Sequence, residues 1–206
     1  MKVIAINGSP LNDGVIARGI AVMAAELSKE NIETEIIHVG DKNIHGCMGC
    51  RKCNELKRCV ITGDPVQEAF EKIQAADGLI LGSPVYYGGI AGTCKSFLDR
   101  LFFPAPDMSY KIGATVISLR RSGGIAAFHQ LTNYFFLAQM IMAPGIYWNI
   151  IHGNSAEEVM EDLEGLQIME AQGRNMAWLI KTIEAGKKEV PLPAPLSERK
   201  RTNFIH

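Results

Sequence analysis

The fold class this sequence predicts is a three-layer α/β sandwich: a doubly wound parallel sheet with helices on both faces. Three observations carry it. Short runs of near-continuous apolar residues recur along the chain, and stretches with an apolar stripe at helical spacing separate them. Strands apolar on both sides belong to sheets buried between two helical layers. The 206 residues are enough for five such strands and one sizeable core.

The elements follow in chain order. Lys2–Ile6 is a first strand, and its four apolar residues are too few for the core of a signal peptide. Ile16, Ile20, Met23, Ala24 and Leu27 line one face of a helix. Thr34–Val39 is a second strand. Asp64-Pro65-Val66-Gln67 offers an N-cap, a proline at the first helical position and a capping-box partner, with Val66, Ala69, Phe70 and Ile73 on one face behind it. Gly78–Gly82 is a third strand, Gly92–Phe102 a helix, Lys111–Leu119 a fourth strand, Ala126–Met142 a helix and Ile146–Ile151 a fifth strand. Ser155-Ala156-Glu157-Glu158 is a second capping box, and the region up to Ala185 is mostly helical.

Residues 1–186 thus read as one domain and 187–206 as an extended tail, since Pro191, Pro193 and Pro195 favour open backbone. The tail ends in Glu198-Arg199-Lys200-Arg201 and then Phe204-Ile205. It is either a loose end or an arm strapped across a neighbouring subunit.

Composition removes several classes of function. With 21 basic and 22 acidic residues the net charge is −1, so no overall field draws in nucleic acid or an anionic membrane. No charged residue occurs from Ser122 to Ala156, but Gln130, Asn133, Gln139, Pro144, Gly145 and Asn149 keep any apolar run well below the roughly 18 residues of a membrane span. The expectation is a soluble cytoplasmic protein with reduced thiols. Within that stretch Phe128, Leu131, Tyr134, Phe135, Phe136, Leu137 and Met140 cover more than one helix face. One face belongs on the sheet, and the other suggests a subunit interface, hence a homodimer or homotetramer.

In doubly wound sheets ligands bind beyond the carboxyl ends of the strands. Three loops there look suited to one. The first runs from Gly8 to Gly14 and carries Ser9, Pro10, Leu11, Asn12 and Asp13; with the free amides of a helix start at Val15 and Ile16 it makes a phosphate cradle, without the dinucleotide or Walker spacing. After the third strand, Ser83-Pro84-Val85-Tyr86-Tyr87-Gly88-Gly89 places two aromatics in a small rigid turn that can flank a planar ring. After the fourth come Arg120, Arg121, Ser122, Gly123 and Gly124, which bring donors and positive charge toward an anion.

Four of the five cysteines, Cys47, Cys50, Cys53 and Cys59, fall within 13 residues, with Gly46 and Gly49 letting the backbone curl. Converging thiolates suit an iron–sulfur cluster or zinc, though structural zinc more often spreads its cysteine pairs over a longer loop. Unmetallated thiols and a disulfide remain alternatives. Cys94, on a predicted helix, reads as a small buried hydrophobe. None of the five histidines has metal-binding helix spacing and no Gly-x-Ser-x-Gly elbow occurs, so no acid–base or nucleophilic residue is assigned.

Gly-Ser-Pro after the first strand, Gly-Ser-Pro-Val-Tyr-Tyr after the third and the Arg-Gly-Gly loop after the fourth resemble the flavodoxin-like, NAD(P)H-dependent FMN reductase family, over Met1 to about His152. Tyr147-Trp148-Asn149 and Arg201-Thr202-Asn203-Phe204-Ile205 resemble one of its branches. The resemblance implies strand order 2-1-3-4-5, with FMN bound non-covalently, its phosphate on residues 9–17 and its ring among the later loops. It further implies NAD(P)H as co-substrate and a neighbouring subunit that helps close the site. The chain departs from the family where Val15 and Ile16 replace Asn or Ser and Thr, which would donate to the phosphate; weaker FMN binding is expected. The cysteine segment resembles that of the iron-sulfur flavoproteins, which hold a [4Fe-4S] cluster beside FMN, and the same spacing occurs in a flavin-only branch. The expected function is hydride uptake from NAD(P)H and reduction of a quinone, flavin or similar acceptor. A one-electron carrier between protein partners is the alternative, disfavoured by the near-neutral charge.

Overall fold

A computed structural model describes residues 1–104, 106–194, 196, 200 and 202 of the chain. In order, it contains β1 (Lys2–Asn7), α1 (Val15–Lys29), β2 (Glu33–His38), α2 (Cys53–Leu56), α3 (Val66–Ala75), β3 (Gly78–Tyr86), β4 (Gly89–Ile90), α4 (Gly92–Phe102), β5 (Ile112–Leu119), α5 (Gly124–Leu137), β6 (Ile141–Met142), β7 (Ile150–His152), a 3₁₀ turn (Glu158–Glu161) and α6 (Leu163–Gly186). Successive residues of a strand face opposite sides, and β1 shows the result. Val3 and Ala5 enter one core and Ile4 and Ile6 the other, all four fully buried. α1 and α6 cover the first face, through Ile20, Met23, Leu27, Met169 and Met176. α3, α4 and α5 cover the second, through Phe70, Ile73, Phe97, Leu98, Leu131 and Phe135. Each large side chain so buried contributes about 1.5–3 kcal/mol.

The main path of the sheet is parallel and runs β2-β1-β3-β5, with β6 and β7 both beyond β5. The five-strand order 2-1-3-4-5 is therefore kept, but its last place is shared by two short strands. β6 pairs with Ile112 and Gly113 at the start of β5, and β7 pairs with Ile117–Leu119 at its end. In all the sheet has seven strands, because β4 adds a short antiparallel partner to β3.

Several elements differ from the sequence reading for local reasons. The third strand does not stop at Gly82. It continues through Ser83 and Pro84, paired with Ile117 and Ser118, to Tyr86, then doubles back as β4. The helix expected over Ala126–Met142 starts earlier and ends at Leu137: Gln139 takes a left-handed conformation (φ 57°), and the Met140 N–H turns back to the Phe135 carbonyl at 2.9 Å. The fifth strand shrinks to β7, leaving Ile146, Tyr147 and Trp148 exposed.

Neither capping box forms as drawn. Asp64 Oδ1 accepts from the Val66 N–H at 3.2 Å, but the Gln67 amide donates to Glu71 instead of reaching back. Ser155 Oγ accepts from the Glu157 and Glu158 N–H groups at 3.2 Å and opens only the 3₁₀ turn; Asp162 caps α6 through the Gly165 N–H at 3.0 Å. One face of α5 is buried, while Phe136 and Leu137 on the other are 83% and 81% exposed. Among the described residues no helix is long and apolar enough to cross a membrane. Pro195, Glu198, Arg199, Arg201, Phe204 and Ile205 of the expected arm lie outside the described residues.

Candidate functional site

The first candidate loop is organised by a residue that belongs to the strand before it. Asn7 is fully buried at the end of β1, where its Oδ1 accepts from the Ser9 N–H at 3.0 Å. Its Nδ2 donates to the carbonyls of Asn12 (3.2 Å) and Leu11 (3.4 Å). Ser9 Oγ accepts from the Leu11 N–H at 3.1 Å and keeps its own hydrogen to donate. His38, at the end of β2, donates from Nε2 to the Ser9 carbonyl at 2.8 Å.

Backbone crowds backbone beneath this turn. The Gly8 N–H donates to the Gly82 carbonyl at 2.9 Å, and a Cβ on Gly8 would lie 2.5 Å from Cys94 Sγ. A Cβ on Gly40 would lie 2.0 Å from the Ser9 carbonyl oxygen. Ser9, Leu11, Asn12, Gly14, Val15 and Ile16 are thus brought together as one turn leading into α1. Gly14 caps that helix without a side-chain bond, so the amides of Val15, Ile16 and Ala17 have no partner within the helix and carry its positive end. Val15 and Ile16 bury their side chains in the core, Ile16 against Gly82, so at these positions only the backbone can donate.

The second and third loops touch. β3 and β4 form a hairpin whose two turn residues, Tyr87 (φ 50°) and Gly88 (φ 76°), are both left-handed, as a type I′ turn requires. A tyrosine in that region is strained by roughly 1 kcal/mol or more, and its ring stands fully in solvent. Two polar side chains hold the hairpin. Ser83 Oγ accepts from the Ala91 N–H at 2.9 Å, and Gln130 Oε1, on α5, accepts from the Ile90 N–H at 2.9 Å.

Gly123, at φ 89°, ends the loop after β5 and caps α5. A Cβ there would lie 2.9 Å from Val85 Cγ1 and 3.0 Å from Gly88 Cα. Val85 and Gly88 therefore meet Gly123, which brings the segment Pro84, Val85, Tyr86, Tyr87 and Gly88 to one rim with the exposed Arg120, Arg121 and Ser122. A groove of about 350 Å³ opens next to them, lined among others by Arg121, Ser122, Tyr147, Trp148 and His152. The Tyr147 and Trp148 rings meet edge-on at 4.6 Å between centroids.

The four clustered cysteines form a separate pocket. Cys47, Cys50, Cys53 and Cys59 line one small hollow of about 20 Å³ with Met48, Arg51 and Phe103. Cys47 and Cys50 are exposed and Cys53 is buried. Burial raises the Cys53 thiol above its ordinary range, and Cys50, Cys47 and Cys59 push it further the same way. No three Cys, His, Asp or Glu side chains among the described residues converge on a point that would hold a single metal ion. Cys94 lies apart, fully buried under the first loop; burial pushes its thiol up to about 12, and a Ser83 hydrogen bond opposes that only in part.

Sequence reasoning missed Asn7, His38, Ser83, Gln130 and Arg100. Asn7 was the most accessible of these: a polar residue at the end of an apolar strand, just before a glycine, asks for a local hydrogen-bonding role.

Residues 1–155 match the family described as NADPH-dependent FMN reductase. An iron-sulfur flavoprotein of Methanocaldococcus jannaschii is 33% identical over 196 residues, spanning 89% of this chain and all of the relative. One of Methanosarcina thermophila is 27% identical over 196 residues, spanning 91% and 99%. Among solved structures, RosB with a bound 8-demethyl-8-formylriboflavin-5'-phosphate superposes with a TM-score of 0.69 at 16% identity, over 100% of this chain and 97% of its own. A flavodoxin from the domain Archaea gives 0.61 at 16% identity, over 88% and 99%. These two likenesses establish the flavodoxin-like fold, and the family match goes further: the chain belongs to the NADPH-dependent FMN reductase family, as a flavoprotein of oxidoreductase type.

Proposed function

We propose that the chain binds FMN without a covalent bond, takes hydride from NAD(P)H and reduces a quinone, flavin or similar acceptor. The observation that carries this reading is the meeting of the hairpin tip and the Gly123 loop at the same carboxyl end of the strands as a turn of free amides. When bound, FMN supplies a ring that takes up a hydride and releases electrons singly or in pairs. The residues here fit it. Ser9 and the amides of Val15, Ile16 and Ala17 offer donors to a phosphate dianion. Arg120 and Arg121 supply positive charge where negative charge gathers on a reduced ring, and Tyr86 and Tyr87 offer aromatic cover. Anaerobic stopped-flow mixing of FMN-loaded protein with NADH or NADPH tests this. Rapid bleaching of the flavin absorbance is expected, and a flavin that stays oxidised with both nucleotides overturns it.

The four-thiol pocket favours a second reading, in which the protein also holds a [4Fe-4S] cluster and passes electrons to a protein partner. A single zinc needs all its sulfurs within one sphere of about 2.3 Å radius. A four-iron cluster takes one thiolate at each corner and accepts more widely spaced sulfurs, which suits four cysteines placed around a cavity. The Methanocaldococcus jannaschii and Methanosarcina thermophila relatives, each aligned over nearly its whole length, are iron-sulfur flavoproteins. Iron and sulfide assays on protein purified without oxygen decide it: about four irons per chain support the cluster, and a yellow, iron-free protein overturns it.

The same reading takes residues 1–186 as the flavin-binding unit of a cytoplasmic homodimer or homotetramer, with 187–206 as an arm to a neighbour. The exposed Phe136 and Leu137 support association. Sedimentation as a monomer at micromolar concentration would refute it.

A further inference from the structure

Arg100 is the largest fully buried side chain among the described residues. It projects from α4 into a core that also holds Phe97 and Leu101, where an unpaired cation would cost several kcal/mol. All five of its N–H donors are directed at partners. Nε donates to Cys59 Sγ at 3.3 Å. Nη1 donates to the Asp64 carboxylate and to the His45 carbonyl at 3.3 Å. Nη2 donates to the other Asp64 oxygen at 3.3 Å and to the Ile61 carbonyl at 2.9 Å. The guanidinium therefore ties α4 to both ends of the cysteine segment, at His45 and at Ile61–Asp64.

The Nε contact is the informative one. Two carbonyls and a carboxylate already suffice to staple the loop. A neutral thiol is a weak acceptor, whereas an anionic or metal-bound sulfur is a strong one. Arg51 also lines this pocket but remains exposed.

We propose that Arg100 is the positioning residue of the cysteine centre: it fixes Cys59 against α4 and, through its Nε–H and charge, sets the reduction potential of the cluster. This rests on the second reading above. Hydrogen bonds and positive charge at a ligating sulfur stabilise the more negative, reduced state and raise the potential. The Asp64 carboxylate acts in the opposite sense by balancing the guanidinium.

The test is a redox titration of the cluster, followed by its electron-spin signal, on anaerobically purified wild type, Arg100→Gln, Arg100→Lys and Asp64→Asn, each with iron counted first. Arg100→Gln should shift the potential negative by at least a tenfold change in the reduction equilibrium, about 59 mV for one electron. Arg100→Lys should recover part of that shift, and Asp64→Asn should move the potential positive. Opposite signs at Arg100 and Asp64 are what a mere staple cannot produce. Iron-loaded variants that shift together, or not at all, overturn the Arg100 assignment alone. Wild type without iron overturns the cluster reading and the potential with it. If Arg100→Gln loses its iron, amide hydrogen exchange across residues 45–64 of the apoprotein decides: faster exchange supports positioning, and unchanged exchange overturns it.

Discussion

The rim of loops at the strand ends and the cysteine pocket lean on the same helix, α4, and are built by opposite means. At the rim, main chain packs on main chain: Gly8 on Gly82, Gly40 on Ser9, Gly123 on Gly88, with Asn7 and Ser83 satisfying the polar groups left between them. The pocket lies in the long connection from β2 to α3, which has only the single turn of α2 and no strand. There one side chain, Arg100, does the gathering. The difference teaches where each region is vulnerable. A site made of close backbone tolerates many exposed substitutions but not an added methyl at its contacts. A site held by one buried ion pair fails when either partner is removed.

The largest effect should come from the pocket. Arg100→Met leaves the Asp64 carboxylate buried without its cation, and urea titration should show a loss of about 3–5 kcal/mol. A loss below 1 kcal/mol would break the comparison. At the rim, Gly8→Ala forces a methyl against Cys94 and the Gly82 carbonyl, and Gly123→Ala forces one against Val85 and Gly88 in a left-handed backbone. Each should cost about 1–3 kcal/mol. FMN titration should show affinity at least tenfold weaker in both, and unchanged affinity would remove these contacts from the binding site.

Cys94 sharpens the contrast by pH. Its folded thiol titrates near 12 against an ordinary 9.0, so between those values only the unfolded chain gives up the proton. Stability contributed by this group is complete below 9 and falls as pH rises toward 12, by about 1.4 kcal/mol per pH unit. Cys94→Ala should flatten that slope in denaturant titrations at pH 9 to 11. A neutral maleimide at pH 8 should label the exposed Cys47 and Cys50 in native apoprotein and Cys94 only after denaturation. The smallest effect should be Gln130→Ala, which frees the Ile90 N–H and loosens the hairpin by about 1 kcal/mol, read as faster exchange of that amide.

Much of the rim was legible because its signals are local. Glycine next to Ser9 or Ser122 at a strand end, or a helix beginning after Gly14, is written within a few neighbouring residues. The continuation of β3 was not legible: Ser83-Pro84 looks like a strand terminus, yet Pro84 sits at the end of the pairing with β5, where its missing N–H does not break the ladder. The end of α5 was hidden because Gln139, not glycine, takes the left-handed position. The cysteine spacing pointed to four thiols in one place, and they do line one pocket, but nothing announced Arg100, whose partners lie 36 to 55 residues earlier in the chain. Asp64 was read only as the start of a capping box; its Oδ1 does accept from the Val66 N–H, and both its oxygens also serve the arginine. Contacts between distant segments leave no periodic trace, so a buried ion pair stays unreadable until the fold assembles it.

Cys94 packs beneath Gly8 in the turn after β1, and Arg100 reaches Cys59 from the same helix, about 9 Å further along its axis. A packed rod of that kind works as a gauge. Whatever sits above its first turn and whatever sits beside its last are kept at one separation, with no joint between them to open or close.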